Sequence, residues 1–271
     1  MICEFSTDDN KHLISKPQKN QAMATSLFTF LLNVGFAVAL LTAERIWPNY
    51  AYQRDWSWNI RAFLFAGVGI SLTLVLGELI ESNLEVLRLY CNFLFRKNWI
   101  TSELNVCLQG LIGYYCVTFF VYWWHRLRHS NDHVWRVFHQ VHHSTYRLET
   151  LTAFYAHPSD FLTNTLIINA VSYGLLGYSI DAAVWTTFWV GIFELWEHTN
   201  IKTPLWLGYI VVRPEMHRIH HEKNKHANNY GIPLWDMLFR TYENSTRSVE
   251  CGFEIANEKK VLSMLLFKIV E

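Results

Sequence analysis

The fold of this 271-residue chain is limited most by apolar runs of membrane-spanning length whose ends carry clustered histidines. A helix crosses a bilayer with about 17–25 mostly apolar residues. Leu27–Ala43, Ala62–Leu79 and Leu104–Trp124 meet that length. Arg45, Trp47 and Pro48 mark the exit of the first run, and Trp56, Trp58 and Arg61 lead into the second. Tryptophans and long cations at such places are what an interfacial belt requires. Two shorter runs, Phe161–Tyr178 and Ala182–Trp196, are joined through Gly177–Asp181. They are either a hairpin dipping into the membrane or two full spans. Ser82–Asn98 alternates charged and apolar residues, the pattern of a helix lying in the interface.

Composition agrees with a membrane protein. Charged residues make up 17% of the chain, where a soluble domain carries roughly 25%. The formal net charge is zero, without the basic footprint of a nucleic-acid binder. The cysteines (Cys3, Cys91, Cys107, Cys116 and Cys251) form no C-x-x-C pair. That leaves no cysteine set for a fused ferredoxin-like centre, and no nucleotide-binding glycine pattern is present either. The expected fold class is therefore all-α: a multi-pass membrane bundle of four or five spans, capped on one membrane face by histidine-rich helices. Residues 1–22 are expected to be a polar tail ahead of a retained first helix. Residues 23–124 would hold membrane helices and the interfacial helix. Residues 125–271 would hold the histidine-rich region, with the membrane hairpin at about 161–197.

Ten of the 13 histidines fall into groups. These are His125-x-x-x-His129, His139-x-x-His142-His143, the separate His157 and His198, and His217-x-x-His220-His221. Residues three or four apart share a helix face, so His125 and His129 project together. His142 and His143 lie one turn from His139 but point about 100° apart, as neighbours on a helix must. Such a segment can serve two metal ions at once. Imidazole suits iron, zinc, copper and nickel. The glutamate of an H-E-x-x-H protease motif is missing between His125 and His129. Carboxylates are few beside the histidines; Glu194-x-x-Glu197-His198 only faintly echoes the Glu-x-x-His pairs of soluble di-iron bundles.

Taken in order, these segments resemble the sterol desaturase and fatty acid hydroxylase family of integral-membrane di-iron oxygenases. The resemblance covers about Tyr122 to Tyr242. It runs through Trp123-Trp124-His125-Arg126-x-x-His129, Trp135-Arg136-x-x-His139-x-Val141-His142-His143-Ser144 and Leu151-Thr152-Ala153-x-x-x-His157-Pro158. It continues through His198-x-Asn200, Pro214-x-Met216-His217-x-Ile219-His220-His221, Asn229-Tyr230-Gly231 and Trp235-Asp236-x-Leu238-Phe239. Two positions depart from the pattern: Arg240 stands where glycine is expected before Thr241, and Asp160 where glutamate is usual.

The resemblance implies two iron ions, with zinc a possible substitute in purified protein. Their ligands would be His125, His129, His139, His142, His143, His157, His198, His217, His220 and His221, with no catalytic residue beyond them. Asn200 and Asp236 would orient ligands, or else serve as a turn residue and a helix cap. The implied reaction is O2-dependent hydroxylation or desaturation of a C–H bond in a sterol, fatty acyl or alkyl lipid. The chain would enter between spans near Phe119, Phe120, Tyr122, Phe188, Trp189 and Phe193, residues that ordinary packing explains equally well. Electrons would come from a separate donor, such as a cytochrome b5-like or ferredoxin-like protein. Arg126, Arg128, Arg136 and Arg147 would dock that carrier or face lipid phosphates. The membrane would be a bacterial inner membrane or the endoplasmic reticulum. The alternative is a membrane metal-binding or transport protein, which predicts ligands along a path inside the spans.

Overall fold

A computed structural model describes residues 16–83 and 103–270. Among the described residues every regular element is a helix. Helix α1 (Lys16–Ile46), α2 (Trp56–Ser82) and α3 (Val106–Ser130) are long and apolar enough to cross a membrane. Helix α1 starts earlier than expected, within the polar tail, because Lys16 to Gln21 are mostly good helix formers that extend an apolar helix outwards. Asp55 caps α2 by accepting the Trp58 N–H at 3.1 Å, and Asn105 caps α3 by accepting from Leu108 at 2.9 Å. The expected interfacial helix, the tail up to residue 15, Cys3, Cys91 and His12 lie outside the described residues.

Beyond α3 come the short helices α4 (Asp132–Phe138) and α5 (Gln140–His143). The fourth and fifth apolar runs become α6 (Pro158–Asn169), extended by a wider π turn over Ala170–Leu175, and α7 (Ile180–Glu197). Gly177 turns the chain between them at φ +62, where a Cβ is unfavourable. Helix α7 packs against both α3 and α1, while α6 packs against α2. A Cβ on Gly110 or Gly113 would collide with Trp185 or Thr186, so these glycines let α3 and α7 approach closely.

The remaining helices are α8 (Pro214–His220), α9 (Pro233–Leu238), α10 (Ile255–Glu258) and α11 (Val261–Leu265). Helices α6, α8 and α9 each open on a proline, whose missing N–H costs nothing in a first turn. Burial is inverted between the two halves. Leu27, Leu31, Phe63 and Leu64 on α1 and α2 are more than half exposed, whereas histidines, arginines and carboxylates after residue 125 are buried. The first pattern suits lipid contact and the second a polar site closed to solvent.

One buried carboxylate fastens the spans to the cap. Glu44, at the end of α1, accepts from the Thr150 N–H (2.9 Å), the Thr150 hydroxyl (2.8 Å) and the Asn200 N–H (3.1 Å). Asn200 also exchanges side-chain hydrogen bonds with the backbone of Tyr50. Its contacts are those of a turn residue tying the loop after α1 to the end of α7.

Candidate metal centre

Nine of the ten histidines singled out in the sequence converge in two groups. His125, His129, His139, His143 and His220 bring one ring nitrogen each to within 4.8 Å of one another. His142, His198, His217 and His221 do the same. Each H-x-x-H-H segment divides between the groups. His139 and His143 join the first and His142 the second, while His217 and His221 join the second and His220 the first. The i and i+4 rings stay together on one face, and the residue between them turns to the other group.

The segment around His139 is not one continuous helix. Asn131 caps α4 by accepting from His133 and Val134, and the helix stops at Phe138. His139 has φ −134, outside helical values, yet its carbonyl still accepts the His143 N–H at 3.2 Å. The break re-aims the His139 ring without losing the turn that holds His143.

The nitrogen spacings fit shared coordination spheres. In the first group, Nε2 of His139 is 2.9 Å from that of His125 and 3.1 Å from that of His143. In the second, Nε2 contacts of 2.9 and 3.1 Å link His217 to His198 and His221, and His198 lies 3.1 Å from His142. Metal–imidazole bonds of about 2.1 Å at right angles put neighbouring nitrogens about 3 Å apart. Nε2 of His129 and of His220 is buried without a hydrogen-bond partner. Unpaired buried acceptors are costly unless a cation takes them up. These two sets of neutral nitrogen donors therefore fit a pair of metal ions, and iron and zinc alike favour such ligands.

Three of the outer ring nitrogens are held by carbonyls that set the tautomer. Nδ1 of His125 donates to the Tyr230 carbonyl at 2.7 Å, and Nδ1 of His220 to the Asn228 carbonyl at 2.7 Å. Nδ1 of His198 donates to the Glu194 carbonyl at 2.8 Å. A proton fixed on Nδ1 leaves Nε2 unprotonated and aimed at the centre. Asn228 and Asn229 supply the required backbone at φ +67 and +46, values that asparagine tolerates better than most residues. Asp236 secures the same loop, accepting from the N–H groups of Tyr230 (2.9 Å) and Gly231 (3.1 Å) and from the Thr241 hydroxyl (2.7 Å). The Tyr230 backbone it holds is the one whose carbonyl meets His125.

Burial dominates the electrostatics. It pushes His139, His142, His143, His217 and His221 well below the usual histidine value, helped by neighbouring positive charge and imidazoles. Burial pushes His220 down to about 3, against a raising hydrogen bond to the Asn228 carbonyl. All six are neutral at pH 7, the form that binds metal. Burial also pushes Asp236 up to about 7.

His157 is the exception and lies outside both groups. Its Nδ1 is 2.6 Å from the Ser159 hydroxyl and accepts the Ser159 N–H at 3.1 Å, capping α6. Its Nε2 faces the Leu265 carbonyl at 3.4 Å, beside the ring of Phe267. The proline after it starts α6 there, which commits the ring to the helix end and the C-terminal segment. His226, outside the sequence pattern, sits with its Nδ1 3.2 Å from that of His143.

Several polar neighbours carry no clear sequence signal. Glu44 acts through its carboxylate on residues more than a hundred positions away, and Asn228 and Tyr230 through backbone carbonyls, neither of which spacing reveals. Glu197 and Glu194 stand 3.6 and 3.7 Å from Nδ1 of His217 and His198. Asp160, the aspartate at a glutamate position, binds Arg128 at 2.6 Å and lies 3.5 Å from Nδ1 of His139. Arg128 and Arg147 are buried, the latter paired with Glu149, so the expected basic surface shrinks to Arg126 and Arg136. Of the six expected chain-lining aromatics, Tyr122 is fully buried, stacked on Phe239 and hydrogen-bonded to Thr241, and Phe119 packs on Trp235. Phe193 stacks on Tyr114 between α7 and α3.

Residues 110–241 match the family model for fatty acid hydroxylase. Human alkylglycerol monooxygenase is 29% identical over 143 residues, covering 50% of this chain and 31% of that protein. The very-long-chain aldehyde decarbonylase GL1-9 of Oryza sativa subsp. japonica is 26% identical over 157 residues, 54% of this chain and 59% of its own length. Sphinganine C4-monooxygenase 1 of Arabidopsis thaliana is 26% identical over 126 residues, 45% of this chain and 48% of that protein. The chain thus spans less than two thirds of the curated relatives it matches. No solved structure matches it. Over residues 110–241, which contain both histidine groups, the chain thus resembles the sterol desaturase and fatty acid hydroxylase family.

Proposed function

We propose that the chain is a membrane-embedded di-iron oxidoreductase that uses O2 to hydroxylate a C–H bond of a lipid. The observation that carries this reading is the pairing of five and four imidazoles, all but half-buried His129 buried, with Nε2 atoms in each set about one coordination sphere apart. The proposed ligands are His125, His129, His139, His143 and His220 for one ion, and His142, His198, His217 and His221 for the other. Bound there, an iron pair supplies the electron-transfer and oxygen-reducing chemistry that imidazoles cannot. The overall reaction consumes a C–H bond, O2, two electrons and two protons, and yields an alcohol and water.

The chain's own residues contribute position and environment. Carbonyls of Tyr230, Asn228 and Glu194 fix the tautomers of His125, His220 and His198, so three ligands are oriented before any metal arrives. Burial keeps the rings neutral and excludes water from the centre. Two of the three relatives are named for monooxygenation, of an alkylglycerol and of sphinganine, which favours insertion of oxygen over desaturation. Ligands at span ends and in the cap, rather than along a path through the spans, favour the enzyme over a transporter. The electrons would come from a separate donor protein, and the membrane would be a bacterial inner membrane or the endoplasmic reticulum.

The test is product analysis under 18O2. Iron-loaded, reduced protein in lipid nanodiscs, offered alkylglycerols, sphingoid bases and fatty acyl lipids, is expected to yield an alcohol carrying one labelled oxygen. An unlabelled alkene would replace hydroxylation by desaturation. No product from any of these lipids would sink the oxidoreductase reading.

A further inference from the structure

We propose that α9 and the 3-10 turn at Leu205–Tyr209 are immersed in the hydrocarbon of the bilayer, so that part of the histidine-rich region lies among lipid acyl chains. This rests on the membrane-embedded reading above and deepens it. The partner is the surrounding bilayer, not a substrate at the metal centre.

Contacts with α3 set the depth. Trp235 of α9 donates from Nε1 to the Thr118 hydroxyl at 3.0 Å and packs its ring on Phe119. Thr118 is seven residues before His125 on α3, about 10 Å at the helical rise. Side chains on a helix lean towards its N-terminus, here away from the histidines, so these contacts lie deeper still. Ile210 and Ile232 both reach a small recess that Tyr114, eleven residues before His125, also lines. The turn is tied to the chain just after α9. The Tyr242 hydroxyl donates to the Gly208 carbonyl at 3.1 Å, and Asn244 donates to that of Leu205 at 2.9 Å.

The outward faces match that depth. Trp206, Tyr209, Ile210, Leu234 and Leu238 are half exposed or more. Residues 205–212 carry no charge, and the one charged residue of 232–239, Asp236, is fully buried. Scattered exposed apolar residues need no explanation, but a contiguous apolar set marks an interaction surface. This set continues the exposed face of α3, where Tyr115 shares the recess with Ile210 and Trp123 packs on Phe239. The face it joins is the one α3 turns to lipid, which selects the bilayer as its occupant. Arg240, exposed directly after α9, is long enough to reach back to the lipid phosphates.

Backbone pairing permits such immersion, since an unpaired N–H or C=O is costly in hydrocarbon. Asp236 accepts the N–H groups of Tyr230 and Gly231, and the Ile232 carbonyl takes those of Trp235 and Asp236. In the turn, the Leu207 carbonyl accepts from Ile210 and Val211. Pro204 and Pro233 have no N–H to satisfy. Because the Tyr230 carbonyl meets His125, the immersed helix also steadies one edge of the five-histidine group.

The test is photolabelling of the native chain in phosphatidylcholine nanodiscs, with peptide mapping by mass spectrometry. One lipid probe carries a diazirine midway along its acyl chain, and a second carries it on the headgroup. The acyl probe is expected to label Trp206, Tyr209, Leu234 and Leu238 about as strongly as Phe63 and Leu64 on α2, and severalfold more than exposed Lys225. Acyl labelling of α2 without labelling of α9 and the turn would overturn the proposal, whether water or a second copy of the chain covers them. Labelling of α9 and the turn by the headgroup probe alone would overturn it too, placing them on the bilayer rather than in it. Failure of the acyl probe on α2 as well would defeat the membrane-embedded reading itself.

Discussion

At the scale of single residues, the histidines differ in what they hold. Replacing His217 by alanine should cost the four-histidine ion, and replacing His220 the five-histidine ion. His157→Ala should leave the metal count unchanged, because that ring caps α6 and faces Leu265 instead. Metal analysis of the three variants checks this; loss of an ion from His157→Ala would return that residue to the ligand set. Asp236→Asn removes an acceptor that serves two N–H groups and a hydroxyl. Metal affinity should fall about 10–100-fold, measured by competition with a chelator. That nine of the ten grouped histidines come together was legible in the sequence motifs. How they divide was not, since it depends on the break at His139 and on loops that bring Asn228 and Tyr230 to the rings.

At the scale of elements, the three long apolar helices and the pair α6 and α7 follow the apolar runs in the sequence, with N-terminal ends set by Asp55, Asn105 and Ser179. Less legible were the contacts joining distant elements, such as Glu44 holding Thr150 and Asn200. The departure at Arg240 was visible in the sequence, and its cost is visible in the fold: Arg240 sits at φ +63 after α9. A non-glycine residue there costs roughly 1–2 kcal/mol, part of which glycine loses again to chain entropy. Arg240→Gly should therefore stabilise the protein by up to about 1 kcal/mol, read from denaturant unfolding in detergent. Gly113→Val should act in the opposite sense, forcing α3 from Thr186 of α7 and costing about 1–3 kcal/mol. Since α3 carries His125 and α7 ends at His198, the same variant should lower metal occupancy.

At the scale of the whole molecule, buried histidines couple stability to pH. In the fold, His220 is held near 3 and five further cap histidines well below their usual value. In the unfolded chain each titrates near 6.5. Between those values the unfolded state binds more protons than the folded one, so stability falls as pH drops below about 6.5. Asp236 and Asp160, raised to about 7 and about 6 in the fold, act in the opposite sense over the same window. The six lowered histidines outnumber them, so the thermal midpoint of metal-free protein should decline below about pH 6.5. A midpoint that rose on acidification would contradict neutral, buried rings.

The most direct test of the whole account is the number of transition-metal ions per chain in gently purified protein. Two per chain are expected, reduced to one by His217→Ala or by His220→Ala. A single ion per chain, or two that survive both substitutions, would contradict a centre built from these two imidazole groups.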